Sequence, residues 1–191
     1  MDAITLNLSP TIELTDEQFF QLCRNNQDLR IERTAQGELI LMPPTGWESG
    51  SRNARLTQRL GNWTDTDGTG VAFDSSTGYK LPNGANRSPD ASWIRKERIE
   101  SLNPDPEKFM PMTPDFAVEL RSATDTLISI QQKMQEYISC GVRLAWLIDP
   151  QNQQVEIYRL GQNVEVLKSP NSLSGEDVLP GFVLDLTGIL N

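Results

Sequence analysis

Apolar residues recur at helical spacing in three stretches of the chain and at alternate positions through most of the rest, so helices interleaved with short strands are expected. Thr15-Asp16-Glu17-Gln18 has the form of a capping box and opens a helix whose apolar side holds Phe19, Leu22 and Cys23, ending near Asn25-Asn26. Leu29 to Met42 reads as two strands folded about Gln36-Gly37, after which Pro43-Pro44-Thr45-Gly46 breaks the chain. Leu56, Leu60 and Trp63 fall at i, i+4 and i+7 and place a second helix over about Trp47 to Trp63. Alternation from Val71 to Leu81 predicts one strand, turned by Pro82-Asn83-Gly84 into another from about Ser88 to Ile94 that carries Asp90 into a sheet.

A Pro-rich loop from Asn103 to Pro114 leads into the strand Asp115 to Arg121, then a helix over roughly Thr126 to Cys140 with Leu127, Ile130, Met134, Tyr137 and Ile138 as its core stripe and Gly141 as its stop. Strands over Val142 to Ile148 and Val155 to Tyr158 flank the turn Asp149-Pro150-Gln151-Asn152. A last strand, Val164 to Leu167, precedes an irregular tail containing Pro180-Gly181. The pattern shows no internal repeat and no low-complexity linker, and 191 residues suit one domain spanning 1–191, with its core over about 15–190.

The sequence contains no His, which excludes Ser-His-Asp and Cys-His relays and every imidazole zinc site. Cys23 and Cys140 are too few for a metal cluster and read as buried, reduced thiols. Hydrolytic chemistry must then come from carboxylates, Lys, Arg and hydroxyls around a hard cation that takes oxygen ligands. No apolar run reaches the ~20 residues that span a bilayer and the start has no basic region for export, so a soluble, cytoplasmic protein without membrane contact is expected. The net charge of −9 argues against indiscriminate nucleic-acid binding, although residues 51–100 carry eight basic and six acidic side chains. Glu48, just before that region, shares one helical stripe with Arg52, Arg55 and Arg59, which reads as a solvated face with an i,i+4 ion pair, or else as guanidiniums aimed at phosphates.

Period two puts Phe116, Val118 and Leu120 on one face of their strand and Asp115, Ala117, Glu119 and Arg121 on the other. A carboxylate such as Glu119 inside an apolar strand is costly to bury unless it is ion-paired, here with Arg121, or holds a metal. Asp115 lies about 13 Å away along the strand and cannot share that ion, so a second ligand must come from a neighbouring strand. Asp90 suits this, although an Asp after Pro89 can also be a strand-start cap.

Pro89-Asp90, followed by Glu119-Leu120-Arg121 at the end of an apolar strand and then a helix, resembles the Pro-Asp…(Asp/Glu)-x-Lys nuclease superfamily, and within it the Uma-type restriction endonuclease branch. Met42-Pro-Pro-Thr-Gly-Trp-Glu48, Pro114 to Ser122, Lys133-Met-Gln-Glu-Tyr137, Trp146-Leu-Ile-Asp-Pro150 and Gly175 to Gly181 extend the likeness over about Thr15 to Leu190. The resemblance implies an α/β, restriction-endonuclease-like core, a mixed β-sheet flanked by helices. It implies hydrolysis of DNA phosphodiester bonds with Mg²⁺ or Mn²⁺ on Asp90 and Glu119, and Glu48 as a supporting acid. Arg121 stands where the superfamily has Lys; a guanidinium stabilises charge but is a poor base, and Lys133, one turn beyond Ile130, is the cation that could replace it. The alternative is a catalytically degenerate protein that keeps the fold to bind nucleic acid or a protein partner, separated from the first by metal binding. A homodimer with C₂ symmetry would suit two cuts in a duplex.

Overall fold

In the computed structural model, which describes residues 3–191, the first helix starts on its capping box. Thr15 Oγ1 accepts the Gln18 N–H at 3.2 Å and Gln18 Oε1 accepts the Thr15 N–H at 2.9 Å, opening α1 (Asp16–Asn25). Because Thr15 is exposed, Thr15→Ala leaves no cavity and should lose only the cap, about 1 kcal/mol of stability in a urea melt.

Strand β1 (Ile4–Leu6) precedes that helix; the hairpin β2 (Arg30–Arg33) and β3 (Leu39–Met42) and the long α2 (Trp47–Asp67) follow it. Then come β4 (Gly70–Asp74), β5 (Tyr79–Lys80), β6 (Asn86–Arg87), β7 (Ala91–Arg95), α3 (Lys96–Leu102), β8 (Phe116–Leu120) and α4 (Leu127–Ser139). The chain finishes through β9 (Leu144–Asp149), β10 (Gln154–Arg159), β11 (Glu165–Lys168), β12 (Ser172–Ser174) and β13 (Val183–Asp185).

A six-stranded sheet runs β11-β10-β9-β8-β7-β4. It is mixed: β8 runs parallel to β9, across a crossover through α4, and antiparallel to β7. Both faces are covered, as the nearly continuous apolar character of β8 and β9 requires. On one face Phe116, Val118, Leu120, Trp93 and Trp146 meet Leu56 and Leu60 of α2 and Leu179, Phe182 and Leu184 of the C-terminal segment. Phe116 packs edge-on to Trp146 at 4.7 Å, and Phe182 stacks on Trp146 at 6.1 Å. On the other face Ala117, Ala145 and Leu147 meet Ile130, Met134 and Tyr137 of α4 together with Tyr79 of the second sheet, ordered β1-β3-β2-β6-β5, and Leu81 just beyond its strand. The expected α/β core, a mixed sheet flanked by helices, is therefore present. Among the described residues no helix is long and apolar enough to cross a membrane.

Several elements differ from expectation. The strand read over Val71 to Leu81 is two strands in two sheets, because Asp74 caps a turn by accepting the Ser76 N–H at 3.0 Å and its hydroxyl at 2.6 Å. Its alternation runs unbroken across that bend. The Pro82-Asn83-Gly84 turn accordingly joins β5 to β6, while β4 pairs with β7. Helix α2 runs one turn past Trp63, to Gly68, whose φ of +70° suits a glycine stop. The tail read as irregular contains the β12–β13 pair, and α3 and β1 were not anticipated. Cys23 and Cys140 are free thiols as expected, but half-buried rather than buried.

Candidate active site

Strand register brings the two candidate metal-binding acids together. Ala91 stands opposite Val118, so one step further along the antiparallel pair Asp90 faces Glu119, where opposed Cβ atoms lie about 5 Å apart. Pro89 has no N–H to give a ladder, and β7 begins only after Asp90. The carboxylate fills the gap: Asp90 Oδ2 accepts the Leu120 N–H at 2.8 Å, and Oδ1 meets Asn53 Nδ2 of α2 at 3.3 Å and Arg30 Nη1 of β2 at 3.5 Å.

Glu119 is buried, and its Oε1 accepts from the Tyr137 hydroxyl at 2.7 Å and the Lys133 ammonium at 2.8 Å. Those two side chains sit one turn apart on α4, whose first turn is closed by Thr126 Oγ1 accepting the Ser129 N–H at 3.2 Å. Lys133 is shared: its Nζ also meets Glu32 Oε1 at 2.9 Å. Glu32 additionally accepts the Ser88 N–H at 2.9 Å and Arg87 Nη1 at 3.2 Å, and Arg87 Nε reaches Glu136 at 2.5 Å.

The two acids on Lys133 are pushed in opposite directions. Burial drives Glu119 up to about 7; Lys133 opposes this, but the nearby charges of Asp90 and Glu32 add to it. Burial acts upward on Glu32 as well, yet Lys133 and Arg87 outweigh it and hold that carboxyl at about 2. Burial disfavours the Lys133 ammonium, but Glu119 and Glu32 together keep it above the ordinary lysine value. Lys133 is thus a fixed cation, and Glu119 is the acid left short of positive charge.

That shortage fits a hard cation. Glu119 Oε2 accepts no hydrogen bond among the described residues, and Asp90 supplies a second carboxylate beside it. No group of three or more His, Cys, Asp or Glu side chains among the described residues converges closely enough to enclose an ion. Mg²⁺ is typically bound by one or two carboxylates, with water and substrate phosphate completing its shell.

Not every anticipated residue arrives here. Arg121 leaves the strand end for Asp149, pairing Nη1 to Oδ2 at 2.9 Å, and Nε donates to the Asp125 carbonyl at 3.3 Å. Asp149 is fully buried and also caps the following turn, so Arg121 neutralises a structural acid. Glu48 is exposed and pairs with Arg52 at 2.9 Å; α2 reaches Asp90 through Asn53 instead. The remaining arginines of that stripe serve the fold. Arg59 donates to the carbonyls of Asp185 and Thr187, and Arg55 lies against Gly188. Asp115 pairs with Arg98 at 2.9 Å, well away from Glu119.

Arg30, Glu32, Asn53 and Arg87 were not anticipated, and Tyr137 was read as core alone. The signal for the first two was present: Arg30-Ile31-Glu32-Arg33 puts charges at i and i+2 of a strand, as Glu119 and Arg121 do.

A family model named Uma2 and described as "Putative restriction endonuclease" matches residues 16–187. Among solved structures, that of a putative nuclease belonging to DUF820 from Anabaena variabilis superposes with a TM-score of 0.77 at 18% identity, covering 93% of this chain and 97% of that one. The cryo-electron microscopy structure of the DrdV–DNA complex gives a TM-score of 0.40 at 17% identity, over 74% of this chain and 12% of that one. No curated protein matches the sequence.

Proposed function

Since the chain belongs to the Uma2 restriction endonuclease family and has a nuclease-like fold, we propose that it is a divalent-metal-dependent endonuclease that hydrolyses DNA phosphodiester bonds at Asp90 and Glu119. The observation that carries this reading is the register that sets Asp90 against Glu119, with the Lys133 ammonium 2.8 Å from Glu119. Asp90 and Glu119 would hold Mg²⁺ or Mn²⁺, which when bound polarises the phosphodiester and lowers the pKa of a water.

The chain's own groups divide the remaining work. Leu120 N–H and Asn53 aim the Asp90 carboxylate, and Tyr137 fixes one oxygen of Glu119. Lys133, kept charged by two acids, acts as a positioned cation: it donates hydrogen bonds to the attacking water or to a phosphoryl oxygen, and it is not the base. Glu32 holds that ammonium in place. Arg121 is occupied at Asp149 and takes no part in the chemistry.

The purified protein is expected to nick or cut DNA with Mg²⁺ or Mn²⁺, to stop in EDTA, and to resume when the ion is restored. Cleavage that persists in EDTA, or no cleavage with either ion, overturns the reading. The net charge of −9 favours the rival, a fold kept for binding alone. Calorimetry separates the two, since a degenerate site would take up no Mn²⁺ while the active one binds it with loss on Asp90→Asn.

A further inference from the structure

Three cations border the candidate site, and two of them are already engaged. Lys133 is held by Glu119 and Glu32 at 2.8 and 2.9 Å, and Arg87 by Glu136 and Glu32 at 2.5 and 3.2 Å. Their side chains are 13% and 9% exposed. Arg30 differs on both counts. Its side chain is 34% exposed, and its carboxylate contact, to Asp90, is the longest of the group at 3.5 Å. Nη2 donates to the Ser88 carbonyl at 2.5 Å, which anchors one corner of the group, while the buried Nε finds no partner among the described residues. A guanidinium presents five donors in a fixed fork, and here Nη1 and Nη2 each make one contact, leaving a donor on each beside an acid assigned to hold a cation.

We propose that Arg30 binds the phosphate to be cleaved, its guanidinium forking onto the non-bridging oxygens of a DNA phosphate seated over Asp90 and Glu119. The assignment deepens the nuclease reading above and rests on it. Resting on Asp90 is a provisional arrangement for this side chain: once that carboxylate serves a divalent ion, its charge is taken and the guanidinium is free for an anion. The planar fork matches two phosphate oxygens in a way that a lysine does not. Strand β2 fixes the geometry, because period two sends Arg30 and Glu32 from the same face of the second sheet toward the site, one to Asp90 and one to Lys133.

The test measures DNA affinity against salt in Ca²⁺, for the wild type, Arg30→Gln and Arg30→Lys, alongside calorimetry with Mn²⁺ and no DNA. Arg30→Gln should weaken DNA binding about tenfold, the usual scale for a hydrogen bond to a charged group. It should also flatten the log–log salt dependence by about 0.9, the value of one phosphate contact. Mn²⁺ affinity should hold or rise, since a competing positive charge is gone. Arg30→Lys should restore the salt slope but only part of the affinity. Wild-type DNA affinity and slope in Arg30→Gln, with altered Mn²⁺ binding, would show that Arg30 merely positions Asp90 and would overturn the assignment. If Arg30→Gln does not fold, Arg30→Lys decides: weaker DNA binding at unchanged Mn²⁺ affinity supports it, and wild-type binding overturns it. A wild type that cuts DNA keeps the nuclease reading whatever Arg30 does, whereas one that neither binds nor cuts removes both.

Discussion

Asp90→Asn and Glu119→Gln are each expected to lower metal-dependent DNA cleavage by on the order of a thousandfold with the protein still folded. A bound ion stabilises charge in the transition state by several kcal/mol, and each ~1.4 kcal/mol is a factor of ten in rate. Both changes remove charge at nearly constant volume. Asn at 90 keeps an acceptor for the Leu120 N–H, and Gln at 119 keeps one for the Tyr137 hydroxyl. Their stabilities should diverge in an informative way. Burial and two neighbouring acids lift Glu119 to about 7, so the cost to the fold grows as the pH rises from the ordinary carboxyl value and is complete above about 7, and there Glu119→Gln should melt at the wild-type temperature or higher. Full activity in either variant, measured by single-turnover cleavage at saturating Mn²⁺, would sink the site.

The second large effect concerns the cation. Lys133→Met is expected to slow cleavage at least ~100-fold, a typical share for a positioned group that assists proton or charge transfer. It should also lower stability by about 3–5 kcal/mol, because Glu32 and Glu119 then share a buried space without their ammonium. The assay must therefore run well below the melting temperature of the variant, with circular dichroism confirming the fold. Arg121→Lys makes the contrast: it should cut DNA near the wild-type rate and lose some stability at Asp149, since its guanidinium serves a structural acid. A silent Lys133→Met beside an inactive Arg121→Lys would reverse the two assignments.

How far the sequence could be read depended on how local the information was. The unit from β8 through α4 to β9 was legible because each element carries its own period, cap and stop, and Asp90 could be set near Glu119 because both acids interrupt apolar strands. Period two, however, says which face a residue takes and nothing about where the strand ends. It therefore carried Val71 to Leu81 through the Asp74 turn, and it put Arg121 on the face of Glu119 although β8 ends at Leu120 and the Arg121 side chain turns to Asp149. The cluster around Lys133 was harder still. Glu32 lies 101 residues before Lys133 and 55 before Arg87, so nothing short of the two-sheet arrangement announces their meeting. The arginine stripe of α2 failed for the same reason, its true partners being carbonyls 126 and 128 residues downstream of Arg59.

Those distant carbonyls impose an order on synthesis. The face of the sheet that receives α2 is completed by Leu173, Leu179, Phe182, Leu184 and Ile189, so it cannot close until residues 173–190 have left the ribosome. At the usual 5–20 residues per second, translation of 191 residues takes roughly 10–40 s. For most of that interval Trp93, Phe116 and Trp146 lack their cover, and a nascent chain with Asp90 and Glu119 already made still has no firmly seated α2 to bring Asn53 to the site. Until residues 173–190 dock on it, this aromatic face of the sheet stays uncovered.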